Sequence, residues 1–441
     1  MATTPFDSGL YRDLFYDAEI GSLLSDSAEV RAMMLVEGAL AKAQGGLGII
    51  PELSAAFIER SAREIQVDPG DLAASTGANG IPVPALVEAM RKAMEAPEHA
   101  QYLHWGATTQ DIMDTGLALR LRQVLALCET RIDALLQSLA ALAESHAETP
   151  IAGRTWMQIA TPTSFGAVVA SWGLPLVDLR AQLETVRTGC LKLSLSGAAG
   201  SSAIYGPKAA QLRSDLAETL KLGNPETSWH SCRNGLAGLS AWATQICAST
   251  AKMGEDILLL SQSEIAELRL GAGGSSSTMP QKQNPVQPSI LSGLARHVIG
   301  ANATMQGAAI HRQQRDIAAW SSEWMALGQI CMATGRALSL AGDLAKTITP
   351  DTQAMRAGID DGRGLIYAEA LQFRLTDRMS RPDAQAAVKE LCQKIIAEGG
   401  SLKDAAIAKW ADPNLADLFE PEAQLGLAPE DARKFAARVR G

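Results

Sequence analysis

A chain of 441 residues exceeds one simple hydrophobic core and implies roughly two to four domains, enough to enclose a deep site. Its 39 Lys and Arg against 48 Asp and Glu leave a net charge of −9, with no basic run to track a phosphate backbone, which argues against a nucleic-acid partner. Apolar residues make up 47%, but charge interrupts them every few positions and no run approaches the ~20 residues that span a bilayer, which argues against a membrane role.

The opening text, MATTPFDSGLYRD, has no basic start followed by an apolar stretch, so the expected location is the cytoplasm. The first hundred residues read as short helices broken by GGLGIIPEL and STGANGIPVP. Between Pro97 and Pro150 there is no proline, and from Asp111 onward the apolar residues follow a helical period. That stretch predicts a helix on the order of 55 Å long. TPIAGRT and CLKLSLSG are the few pieces able to pair as strands. A second long helix is expected over Leu239 to Arg269, with Leu239, Ile246, Met253 and Leu260 on a coiled-coil-like seam. A third runs from Pro288 to about Lys346, with a kink expected near Gly300 or Gly307. TITPDTQAMRAG then marks a break.

The chain is therefore expected to be all-α, with an elongated central helical bundle between smaller helical N- and C-terminal domains. Boundaries near Gly106 and Thr349 give domains over 1–106, 107–349 and 350–441. Six cysteines and six histidines are scattered without CxxC, HExxH or similar spacing. Buried free thiols are expected, with no metal site.

Three blocks carry chemistry. GAGGSSSTMPQKQNP, Gly271 to Pro285, sets glycines and serines before Lys282, Asn284 and two prolines. Such a loop permits positive φ and converging amides, and on spacing alone it is either an interhelical linker or an anion site. HWGATTQDIMDTG, His104 to Gly116, offers Thr108 or Thr109 as a helix cap, with Asp111 and Asp114 in the first turns. The same hydroxyls and amides make an anion seat with His104 beside it. GRTWMQIATPTSFG, Gly153 to Gly166, presents Arg154, Thr155 and Gln158 as donors.

The order HxGxTTxD, Thr-x-x-Gln, SSxMPxKxNP resembles the fumarase/aspartase superfamily. That resemblance implies a homotetramer whose long helices form a 20-helix bundle, with each active site shared by three subunits. It also implies a bond made or broken β to a carboxylate, typically with release of fumarate, without metal or organic cofactor. GATTQDIMDTGLALRLR, GRTWMQIATPTSFG, SSTMPQKQNPV and the WHSCR at Trp229 to Arg233 look most like the branch of 3-carboxy-cis,cis-muconate cycloisomerases, lactonising enzymes of aromatic catabolism. Fumarate-releasing relatives carry a histidine where this chain has Trp156. A carboxylate nucleophile or leaving group needs no strong acid, so the loss suits lactone chemistry.

By the same resemblance Ser276 moves the α-proton, and Lys282 and Asn284 hold the substrate carboxylate. Thr108, Thr109, Thr155 and Gln158 complete its seat beside His104. Arg315 and the His230/Arg233 pair are candidates to meet the further charge of a small polycarboxylate substrate. Gln281, Gln283, Gln313 and Gln314 stand where lactonising relatives have ionisable groups, which leaves the substrate open. A lyase of adenylosuccinate or argininosuccinate type and a noncatalytic helical tetramer are the alternatives.

Overall fold

The computed structural model describes residues 4–271, 274, 275, 279 and 282–441. Ser276 and Gln281 lie outside the described residues. The chain divides into two compact units, one comprising Met1–Thr130, Leu179–Ala248 and Gly293–Leu338, the other Arg131–Asp178, Ser249–Ser292 and Ser339–Gly441. The chain is all-α, as its composition of long amphipathic runs implies.

The elements that position the site are α1 (Asp26–Gly46), α2 (Glu52–Glu64), α3 (Pro69–Asn79), α4 (Val83–Met94), α5 (Thr109–Ser145), α6 (Asn234–Leu260), α7 (Val286–Ala308) and α8 (Ile317–Thr347). Ser25 caps α1 by accepting from the Ala28 amide. Met33, Met34 and Leu40 on α1 meet Ile58 on α2 and Leu86 and Met90 on α4, all at most 1% exposed. Each such burial contributes about 1.5–3 kcal/mol. Gly45 lets α1 and α2 approach: a Cβ there would lie 2.4 Å from the Ala55 Cβ.

Two long helices end earlier than their apolar pattern suggests. Leu239, Ile246, Met253 and Leu260 are all buried, but α6 stops at Leu260 instead of reaching Arg269. Beyond it the chain turns through Ala266 at φ +51°, and β3 (Leu268–Arg269) pairs antiparallel with Thr349–Pro350. The third run is interrupted just past Gly307, where α7 ends at Ala308, rather than at Gly300. It breaks into α7 and α8, because Gln313 adopts φ +55° and the Asp316 carboxylate accepts from the Arg312 side chain and the Ala318 amide.

In the second unit β1 (Pro150–Thr155) and β2 (Gln158–Ser164) form an antiparallel hairpin. The segment CLKLSLSG makes no strand, only an isolated parallel bridge from Lys192 to Gly223. β4 (Gly274–Ser275) pairs with β5 (Gln283–Asn284), with Ser275 opposite Gln283. The C-terminal helices bury Leu371, Leu375, Val388, Leu402 and Phe419 in a satellite core. Cys128, Cys190, Cys247 and Cys331 are buried as expected, but Cys232 is exposed. Burial pushes the Cys190 and Cys247 thiols up to about 12. No helix among the described residues is long and apolar enough to cross a membrane.

Candidate active site

The start of α5 is staked by two buried acids. Asp111, 0% exposed, accepts from the amides of Ser196 at 2.8 Å and Gly197 at 2.9 Å. It also accepts from Ser194 Oγ at 3.2 Å and His230 Nε2 at 2.8 Å. A carboxylate only accepts, so His230 carries its proton on Nε2. Asp111 also takes the Thr108 amide at 3.0 Å and sits where the helix dipole favours negative charge. The loop over 194–202 is thereby held against the helix start, its turns made by Gly197 at φ +70° and Gly200 at φ +85°.

Three residues further on, Asp114 and Glu323 grip Arg233 from two sides. Nη1 and Nη2 reach Asp114 at 2.7 and 3.0 Å, while Nε and Nη2 reach Glu323 at 2.7 and 2.6 Å. The guanidinium also stacks on Trp229, 4.8 Å from the ring centre. Burial opposes its charge, yet the two carboxylates outweigh that and hold its pKa above the usual arginine range. His230 and Arg233, expected to meet substrate charge, are both 2% exposed, and their donors meet Asp111, Asp114 and Glu323. The partners lie about a hundred residues away in sequence, so no local pattern reveals the pairing.

The remaining candidates in this unit gather at one place. Arg315 Nη2 donates to Thr108 Oγ1 at 2.8 Å and to the Ala198 carbonyl at 3.2 Å, and its Nε is buried without a partner. Thr109, 9% exposed, opens α5. Gly106 turns the chain into this start at φ +75°, and a Cβ there would lie 2.6 Å from Ile204 Cγ2 and 2.7 Å from the Tyr205 ring. His104, at φ +62°, donates from Nδ1 to Glu37 Oε1 at 2.6 Å. Burial opposes its protonation, but the Glu37 hydrogen bond and charge, helped by Asp111, raise its pKa above the ordinary 6.5. Sequence reasoning missed Glu37 because it interrupts the apolar stripe of α1 as a lone acid, 1% exposed.

In the second unit, Thr155 pairs with Gln158 across a two-residue turn made by Trp156 and Met157 at φ +52° and +63°. Two positive φ values match the hairpin's twist but strain non-glycine residues. Trp156 is 96% exposed at this tip. Arg154, expected as a donor to ligand, forks onto buried Glu267 at 2.9 and 2.7 Å and anchors the hairpin. Lys282 donates its amide to the Met279 carbonyl at 3.0 Å, leaving its side chain exposed at the start of β5. Asn284 sits opposite Gly274. No hydrogen bond joins Thr155 or Gln158 to Lys282 or Asn284 among the described residues. The candidates in both units are hydroxyl, amide and cationic donors, which is the equipment for holding carboxylates.

The family model described as Lyase matches residues 19–300. The chain is 36% identical over 403 residues to the 3-carboxy-cis,cis-muconate cycloisomerase of Pseudomonas putida, an alignment covering 89% of this chain and 94% of that protein. The crystal structure of the 3-carboxy-cis,cis-muconate lactonizing enzyme from Pseudomonas putida is similar at TM-score 0.92 and 34% identity, covering 98% and 99% of the two chains. That of a fumarate lyase from Mesorhizobium sp. BNC1 is similar at TM-score 0.90 and 33% identity, covering 96% and 98%.

Proposed function

The chain belongs to the fumarase/aspartase lyase family, and from that membership we propose that it is a cycloisomerase interconverting 3-carboxy-cis,cis-muconate and a carboxymuconolactone. The observation that carries this reading is Trp156. It occupies an exposed hairpin tip between Thr155 and Gln158, where fumarate-releasing relatives place a proton-donating histidine. An indole cannot protonate a leaving group. A departing carboxylate asks for no such proton.

The reaction is intramolecular. A substrate carboxylate oxygen adds to one carbon of a double bond, and the other carbon, α to a second carboxylate, takes a proton. The reverse is β-elimination, and neither direction needs a metal or an organic cofactor. Charge accumulates on the second carboxylate at the transition state, which is where preorganised donors lower the barrier. Ser276 moves the α-proton. Lys282 and Asn284 hold the carboxylate, and Thr108, Thr109, Thr155, Gln158 and Arg315 complete the seat, with His104 beside it. The enzyme works as a cytoplasmic homotetramer in the breakdown of aromatic compounds, its sites assembled from different subunits. His230 and Arg233 drop out of the seat because their donors are spent internally.

A fumarate-releasing lyase of adenylosuccinate or argininosuccinate type is the second reading. It is favoured by the similarity to the Mesorhizobium sp. BNC1 fumarate lyase, while neutral Gln281, Gln283, Gln313 and Gln314 leave the substrate open. Ultraviolet absorbance separates the two. The proposal expects loss of the diene band of 3-carboxy-cis,cis-muconate and inert adenylosuccinate and argininosuccinate. Turnover of either succinate, or of none of the three, overturns it.

A further inference from the structure

A second recess lies within the first unit, away from the Thr108–Arg315 contact. It is a cavity of about 550 Å³ between α1, α3, α5 and α8, a size typical of sites for small ligands. Its walls are mainly apolar, with Val30, Met33, Leu72, Met113, Leu117 and Leu121 among them. Trp320 and Trp324 form an edge-to-face pair on the same wall, ring centres 4.9 Å apart at 64°. Trp320 is 2% exposed and Trp324 41%.

The charged groups on this wall are unequal. Asp114 and Glu323 line it, but all four of their oxygens already accept from Arg233. Asp26, also on the wall, stands solvated at the exposed start of α1. Arg120 is different. It is 8% exposed, its Nε is buried without a partner among the described residues, and its Nη2 pairs with Glu29, also on the wall, at 3.2 Å. A buried guanidinium with this much unused donor capacity is costly, and an acceptor supplied by a ligand relieves it.

We propose that this cavity binds a flat apolar molecule carrying one carboxylate, of the class of one- and two-ring aromatic acids. The carboxylate meets Arg120, the cationic wall residue whose Nε is buried without a partner among the described residues, and a planar guanidinium takes a carboxylate through two parallel hydrogen bonds. The ring lies against the indole pair and the thioethers of Met33 and Met113, contacts that favour aromatic over aliphatic bodies. This site is separate from the seat proposed for the substrate, and no residue of that seat lines it.

Isothermal titration of the full-length protein tests it, with 2-naphthoate as the probe and 2-naphthamide and 2-naphthylmethylammonium as neutral and cationic counterparts. Saturable binding of the acid is expected, at least about tenfold tighter than either counterpart, as one lost charge-assisted pair implies. Arg120→Met lowers the affinity by a similar factor. Gly328→Leu is expected to abolish binding by filling the cavity from its wall, where a Cβ meets nothing within 4 Å. Lys282→Ala leaves the affinity unchanged. No saturable heat, tighter binding of the amine, binding lost in Lys282→Ala, or binding retained in Gly328→Leu overturns the proposal. The Gly328 result decides alone where Arg120→Met does not fold.

Discussion

Replacing Arg233 by methionine keeps the volume and removes the charge. Asp114 and Glu323, with side chains 1% and 3% exposed, are then left facing each other without a counter-ion. Breaking a buried pair by deleting one partner costs about 3–5 kcal/mol, most of it the penalty of the stranded charge. Here one arginine neutralises two acids, so the upper part of that range is expected. The loss depends on pH in a definite direction. Glu323 is already held above the usual carboxylate range by burial, opposed by Arg233 and reinforced by Asp114. Without Arg233 the native state binds protons that the unfolded chain releases, so the variant gains stability as pH falls. Urea denaturation followed by far-ultraviolet circular dichroism, repeated across the acid range, measures both effects. Arg233→Met/Glu323→Gln recovers part of the loss by removing one stranded charge. Arg233→Lys recovers little, because an ammonium cannot fork onto two carboxylates. A loss below about 1 kcal/mol, or one indifferent to pH, refutes this account of the cluster.

Other outcomes follow from the same geometry. His104 has a raised folded pKa, so its pairing with Glu37 stabilises fully below 6.5 and is lost as pH rises through the higher folded value. Denaturation midpoints should fall over that window, and His104→Asn should flatten the fall; equal slopes in both proteins count against the pairing. Gly106→Ala forces a Cβ into Ile204 and Tyr205 at positive φ, with an expected loss of about 2 kcal/mol and lower activity through displaced Thr108 and Thr109. Wild-type melting and turnover in that variant contradict the close approach. Ser276→Ala should lower kcat by roughly 10²–10⁴-fold, whereas Lys282→Ala should mainly raise KM; near-normal kcat in the former removes Ser276 from proton transfer. Mixed Thr109→Ala and Ser276→Ala subunits should regain partial activity if sites are shared, and hybrids without recovery argue that they are not.

What a sequence exposes is periodicity and local chemistry. The helix from Thr109 to Ser145 is legible because its apolar stripe runs on with no proline between Pro97 and Pro150. The end of α6 is not, since Ile265 and Leu268 continue the apolar pattern past Leu260, where pairing of β3 with Thr349–Pro350 takes over. Thr108 and Arg315 could be nominated from their motifs, and the structure sets them 2.8 Å apart. The opposite fate of Arg233 could not be foreseen, because Asp114 reads locally as a first-turn acid and Glu323 as a surface charge. Tertiary pairing turns both into buried ligands of one guanidinium. The exposure of Trp156 is likewise a consequence of hairpin geometry that a tryptophan's usual preference for burial conceals.

The claim at the centre is intramolecular carboxylate addition with protonation of the neighbouring α-carbon. Turnover of 3-carboxy-cis,cis-muconate in deuterium oxide, with the product examined by mass spectrometry and proton NMR, addresses it most directly. The expected product is one lactone, isomeric with the substrate and carrying a single deuteron on the carbon α to a carboxylate. A product that has gained the elements of water, or two fragments of which one is fumarate, contradicts it.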